Sequence, residues 1–227
     1  MVGSRLADAR QHLAGAAVGA ALLLGAWPAP TPWQVRVLDV GQGLSVLVTR
    51  GERGILYDTG DRYPGGYNMA EAAILPVLNR LDVRVLDALI ISHKDRDHAG
   101  NRQAMLQAMP VRRELSSFGF ARSTTLCRRG QRWHWQGLDF RVLWPERPGA
   151  GRNNDSCVVQ ISDGRHRLLL SGDIEQEAER RLLALESKGE GDVFASTSAS
   201  TRFSTLASAV LVSPHHGSRT SSTPGFV

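Results

Sequence analysis

The stretch that most constrains this chain is Ser92-His93-Lys94-Asp95-Arg96-Asp97-His98-Ala99-Gly100-Asn101. Four groups able to ligate a metal, His93, Asp95, Asp97 and His98, fall within six positions. Directly before them runs Leu86-Asp87-Ala88-Leu89-Ile90-Ile91, an apolar run of strand length. The candidate ligands therefore stand where a buried strand ends and the chain turns at Gly100. A strand end is rigid and can hold side chains in fixed geometry. Imidazole and carboxylate together suit a divalent first-row metal that activates water. A polar loop would also carry Asp, Lys and Arg, but two histidines bracketing two aspartates straight after an apolar strand is the rarer arrangement.

The same pattern recurs along the chain. Asp58 ends the apolar run Gly54–Tyr57, Asp173 follows the run Arg167–Leu170, and His215-His216 follow Val210-Leu211-Val212. A single Asp after a strand is often only a turn; the four strand ends converge if the strands lie side by side in two packed sheets. A two-metal reading assigns His93 and Asp95 with His215 to a first ion, and Asp97 and His98 to a second. Asp173 bridges both, and water held between the ions becomes the nucleophile. Asp97 also orients that water. Asp58 fixes a ligand or a backbone amide from behind. His216 either supports a ligand or gives a proton to the leaving oxygen.

The remaining pattern is α/β. Strands are expected over Val35–Val40, Leu44–Val48 and Gly54–Tyr57, with Gly41-Gln42-Gly43 as a turn. Asn68–Leu81 has helical spacing, with Pro76 marking a kink or a late start, and Arg102–Met109 is a short helix. Val111–Leu115 reads as a strand. One hairpin is expected around Gln136-Gly137 and another around Asp163-Gly164. A helix spans Ile174–Leu185, a Ser/Thr-rich loop spans 187–208, and a last strand is Val210–Val212. His134 lies inside a strand rather than at its end and reads as structural or surface.

Ahead of this domain, residues 1–12 are polar and carry Arg5 and Arg10, Leu13–Trp27 is free of charge, and Pro28-Ala29-Pro30-Thr31-Pro32 is a stiff linker. The apolar run is shorter than the ~20 residues of a spanning helix. It reads as a signal peptide or as the tail of a transmembrane helix. Either way the leading arginines place the domain beyond the linker outside the cytoplasm.

Several of these segments also carry a family resemblance. They are Leu38-Asp39-Val40-Gly41-Gln42-Gly43, Tyr57-Asp58-Thr59-Gly60, the stretch Ser92–Asn101, Asn153-Asn154-Asp155-Ser156-Cys157, Leu169-Leu170-Ser171-Gly172-Asp173-Ile174 and His215-His216-Gly217-Ser218. Together they resemble the metallo-β-lactamase superfamily, and within it the C-terminal domain of ComEC-type competence proteins, over residues 33–227. The superfamily signature is His-x-His-x-Asp-His. Here Asp95 stands where the second His is usual, which makes the site harder and moves its preference from zinc toward manganese without excluding zinc.

The resemblance implies an αββα sandwich holding two divalent ions, Mn2+ or Zn2+, and a nuclease acting on phosphodiesters of single- or double-stranded DNA during uptake. It places Asn153, Ser156 and Ser218 at the border of the metal site. It implies a membrane-associated domain on the extracytoplasmic, periplasmic side, tied to the membrane by the N-terminal segment or by a channel domain not in this chain, with other competence proteins as partners. The chain ends at Phe226-Val227, where the family continues through more strands, so the second sheet is expected to be incomplete. The same fold also hosts hydrolases of small esters, lactones or thioesters, and a non-catalytic DNA-binding remnant is a third reading.

Charge and cysteines add two expectations. The formal net charge is +5 and the pI about 9.9, and only Lys94 and Lys188 are lysines. The arginines either match phosphate oxygens or reflect a compositional bias toward Arg. Arg128, Arg129 and Arg219 are expected on a positive face beside the metal pocket. Cys127 and Cys157 are either two unrelated buried thiols or one disulfide, the latter in keeping with an oxidising compartment.

Overall fold

The computed structural model describes residues 31–187 and 206–227. The expected membrane or signal segment, up to residue 30, and most of the Ser/Thr-rich loop, 188–205, lie outside the described residues. Among the described residues no helix is long and apolar enough to cross a membrane.

Two sheets are packed face to face. The first has six strands in sequence order: β1 (Gln34–Val37), β2 (Val46–Arg50), β3 (Arg53–Tyr57), β4 (Leu86–Ile91), β5 (Glu114–Ser116) and β6 (Thr125–Leu126). The second has five, ordered β11-β10-β9-β8-β7, from β7 (Arg132–Trp135), β8 (Leu138–Trp144), β9 (Val158–Ser162), β10 (Arg167–Leu170) and β11 (Val210–Val212). Side chains alternate between the faces of a strand. Val46, Val48, Ile55, Tyr57, Phe140, Val142, Val159, Ile161, Leu168 and Leu170 therefore meet between the sheets in one buried core. Their neighbours face outward. Leu47, Leu56, Leu89 and Ile91 pack under the helices of the first side, α1 (Leu75–Arg80) and α3 (Arg102–Ala108). Leu143, Val158 and Leu169 pack under α4 (Gln176–Ser187). Strands buried on both faces read as continuous apolar runs, which is why these are visible in the sequence. The result is the αββα sandwich that the resemblance implies.

Several boundaries differ from expectation. The first strand stops at Val37, because Leu38–Leu44 leaves the sheet and Leu44 N donates to the Asp97 carbonyl at 3.1 Å. The helix expected over 68–81 begins as a π turn, Ala70–Ile74, and becomes α-helical only at Leu75. Pro76 follows directly on this π turn, whose last bond runs from Leu75 N to the Ala70 carbonyl; having no N–H, it cannot continue the ladder to a preceding carbonyl. Short α2 (Arg96–Ala99) sits inside the expected ligand loop.

Cys127 and Cys157 form a disulfide, with Cα atoms 5.8 Å apart, within the reach such a bridge requires. Cys127 follows β6 of the first sheet and Cys157 precedes β9 of the second, so the bridge ties the two sheets together.

Candidate metal centre

Strands β3 and β4 are parallel, as are β10 and β11. Parallel neighbours deliver their C-terminal ends to the same edge, so the residues after Tyr57, Ile91, Leu170 and Val212 meet there. Donor atoms of Asp97, His98, Asp173 and His216 all lie within 4.8 Å of one another. His98 Nε2 is 3.1 Å from Asp173 Oδ1 and 3.3 Å from His216 Nε2, and Asp97 Oδ2 is 3.2 Å from His216 Nε2. Donors at ~2.0–2.2 Å around one small ion stand at such separations.

His93 lies beside this group, its ring centroid 4.2 Å from that of His98. Its Nε2 is fully buried and has no hydrogen-bond partner among the described residues; Asp95 Oδ2 is the neighbouring carboxylate, 3.6 Å away. A buried nitrogen left without a partner costs free energy, and a cation between His93 and Asp95 would remove that cost. The residues present therefore fit divalent metal.

A chain of hydrogen bonds presents both Nε2 atoms to the site. Asp58, buried and at φ 60°, accepts Ser92 N at 2.6 Å, Ser92 Oγ at 2.7 Å and His98 Nδ1 at 2.8 Å. With its hydrogen given to Asp58, Ser92 Oγ accepts from His93 Nδ1 at 3.0 Å. Both imidazoles then carry hydrogen on Nδ1 and offer Nε2 outward, the arrangement by which an outer carboxylate fixes ligand tautomers. Ser92 has no role assigned from sequence; its position between the strand and His93 is the available signal. An Asp58→Asn variant is expected to bind metal about 10–100-fold more weakly, because its amide cannot accept all of these bonds. Calorimetric metal titration reads this, and unchanged affinity would remove Asp58 from the account.

Electrostatics follow from the same contacts. Burial alone would lower the His98 pKa, but the Asp58 and Asp173 carboxylates outweigh it and push it up to about 10. The hydrogen bond from His216, opposed by partial burial, holds Asp97 down at about 2. Metal binding at His98 Nε2 must therefore displace a proton. Affinity accordingly rises with pH, by about tenfold per unit through the neutral range for one proton released. Titration at two pH values in buffers of different ionisation enthalpy checks both numbers, and a pH-independent affinity contradicts them.

Backbone constraints hold the parts in place. Gly172, at φ 55°, precedes Asp173, and any side chain there would collide with Ser92 Cβ and Ser156 Oγ, both under 3.0 Å away. Asp173 N donates to Ser156 Oγ at 3.1 Å. His215 and His216 both take left-handed backbone conformations, φ 47° and 51°, which are uncommon for residues with a Cβ.

That pair of dihedrals turns His216 into the cluster and His215 away from it. The sequence reading puts His215 among the ligands and His216 at the margin. In the structure His215 Nδ1 faces Thr220 Oγ1 at 2.9 Å and Glu175 Oε1 at 3.5 Å instead. Ser218 closes the same turn, its N–H donating to the His215 carbonyl at 2.8 Å, and its hydroxyl pairs with Thr220 Oγ1 at 3.2 Å. Asn153 lies in the turn Asn153–Asp155 and lines a cleft with Asp95 and Glu175. Of the three arginines, Arg128 and Arg219 are exposed, whereas Arg129 is engaged by Glu186 at 3.8 Å with only 19% of its side chain exposed.

With this geometry in hand, comparisons place the chain among known proteins. A family model described as the metallo-beta-lactamase superfamily matches residues 38–116. Recombination protein 2 of Haemophilus influenzae is 40% identical over 83% of this chain and 22% of its own length. The uncharacterized protein YcaI of Escherichia coli is 36% identical over 86% of this chain and 24% of its own length. Competence protein ComA of Neisseria gonorrhoeae is 37% identical over 85% of this chain and 25% of its own length. The chain thus spans about a quarter of the curated relatives it matches.

Proposed function

Because the chain has the metallo-β-lactamase fold and is a homologue of the Recombination protein 2 and ComA competence proteins, we propose that it is a metal-dependent phosphodiesterase that cuts DNA during uptake. The observation that carries the reading is the convergence of Asp97, His98, Asp173 and His216, with the unpartnered Nε2 of His93 beside them. Asp97, His98, Asp173 and His216 would hold one divalent ion, and His93 with Asp95 a second. When bound, such ions supply Lewis acidity and lower the pKa of water.

The chain's own residues supply the rest. His98 and Asp173 are buried, while Asp97 and His216 are 34% and 36% exposed, so substrate approaches over the latter two. Asp97, an anion at neutral pH because its hydrogen bond from His216 holds its pKa at about 2, would orient the attacking water. In the metal-free site a hydrogen bond to Asp97 raises the pKa of His216, so His216, like His98, would give up a proton when its Nε2 holds the ion. Asp95 makes the second position anionic and favours Mn2+ over Zn2+. The exposed Arg128 and Arg219 would contribute positive charge toward the phosphate backbone. A domain working on incoming DNA belongs at the outer face of the membrane, and the Cys127–Cys157 disulfide supports an oxidising compartment.

The test is which substrate is consumed. With added Mn2+ the chain is expected to degrade single-stranded DNA and leave a model carboxylic ester intact. Hydrolysis of the ester alone would favour the small-ester reading. Salt-sensitive DNA binding without cleavage would make the chain a binding remnant.

A further inference from the structure

A feature beside the metal centre takes no part in it. Residues 62–68 fold back as a minimal hairpin: Arg62 and Asn68 form an antiparallel bridge, and Tyr63 N donates to the Tyr67 carbonyl at 3.0 Å. Pro64-Gly65-Gly66 makes the turn. It brings Tyr63 and Tyr67 together, with ring centroids 5.9 Å apart and planes tilted by 44°. Tyr67 is 60% exposed. The two rings wall a cleft of about 480 Å³ whose other residues include Asp39, Gly41, Met69 and Ala72. The π turn Ala70–Ile74 comes directly after the hairpin, and such turns concentrate at functional sites.

One short loop joins this cleft to the metal centre. A side chain at Gly41 would lie 2.7 Å from the Tyr63 hydroxyl, and one at Gly43 would collide with the Asp97 carbonyl. Two residues span at most about 7 Å. The loop thus has the Tyr63 ring at one end and the Asp97 backbone at the other, and a strand laid over Asp97 and His216 can run on along it to the rings. Exposed Arg62 stands on the same hairpin and suits the adjoining phosphate, whereas the exposed Asp39 carboxylate in the cleft repels phosphate and accepts a hydrogen bond from an exocyclic amine.

We propose that the Tyr63–Tyr67 cleft is a stacking site for an unpaired, amino-bearing nucleobase of single-stranded DNA, next to the phosphate being cut; this rests on the phosphodiesterase reading. A duplex keeps its bases stacked inside and cannot fill the cleft, so the site selects single strands.

The experiment uses the full chain in EDTA, so that nothing is cut. It is titrated with labelled oligo(dC) of about ten nucleotides and with an abasic oligomer of equal length. Wild type is expected to bind oligo(dC) about tenfold more tightly than the abasic strand. Tyr67→Ala abolishes that preference and Tyr67→Phe keeps it. Equal binding of both strands by wild type, or a preference that survives Tyr67→Ala, overturns the site. Oligo(dT) binding as tightly as oligo(dC) overturns the amino-base selection. Cleavage with Mn2+ is scored separately: base preference without cleavage sinks the nuclease reading, and cleavage without base preference sinks the stacking site.

Discussion

An Asp173→Asn variant is expected to lose DNA-cleaving activity by roughly a thousandfold or more while remaining folded. Asp173 is the buried carboxylate of the cluster, 3.1 Å from His98 Nε2 and 3.7 Å from His216 Nε2. The amide has the same size and keeps Gly172 and the Asp173 N to Ser156 Oγ bond undisturbed. What it removes is one negative charge facing the ion position. Metal supplies several kcal/mol of transition-state stabilisation, and each ~1.4 kcal/mol is tenfold in rate. His98 would also lose part of what holds its proton, so its titration in the metal-free variant should move down. Circular dichroism separates this from unfolding. A folded Asp173→Asn chain with wild-type activity would remove Asp173 from the metal centre.

The second large effect concerns stability. Breaking the Cys127–Cys157 bridge opens a closed loop with a sequence separation of 30. In the chain-entropy model that costs about 3–4 kcal/mol, or a fall in melting temperature of about 10 °C for a domain of this size. A paired Cys127→Ala, Cys157→Ala variant should show it, and so should wild type in reductant. The site should feel the change as well. Cys157 N donates to the Ser92 carbonyl and its own carbonyl accepts the Tyr57 hydroxyl, both at 2.8 Å. Freed of the bridge, Ser92 and Ser156 are held less firmly, and metal affinity should fall along with stability. Identical melting curves with and without reductant would contradict this.

The features legible in the sequence are those set by local pattern. Strands buried on both faces write themselves as apolar runs, and a ligand after such a run has only one edge of the sheet to occupy. Hence Asp58, His93, His98 and Asp173 can be placed from position alone. The choice between His215 and His216 cannot. It depends on two successive left-handed dihedrals and on Thr220 and Glu175 receiving the His215 ring, and no propensity encodes either. The loop Leu38–Leu44 misleads for a similar reason: Leu38-Asp39-Val40 alternates like a strand, but the loop's far end bonds to the Asp97 segment rather than to a neighbouring strand. Arg129 looks like its exposed neighbour Arg128 in sequence, and only the packing of α4 shows Glu186 against it. Pro64-Gly65-Gly66 is a turn signal in the sequence, but the pairing that brings Tyr63 and Tyr67 together rests on a single bridge, Arg62 to Asn68, with no strand pattern to announce it.

The most direct measurement of the central claim is the rate of single-stranded DNA cleavage against metal bound, in protein first stripped with EDTA and then titrated with Mn2+. The account predicts no cleavage in the stripped protein, recovery in step with occupancy, full rate only when a second equivalent is bound, and no recovery in Asp173→Asn. Stripped protein that cuts as fast as loaded protein, or loaded protein that binds metal and leaves DNA intact, would contradict it.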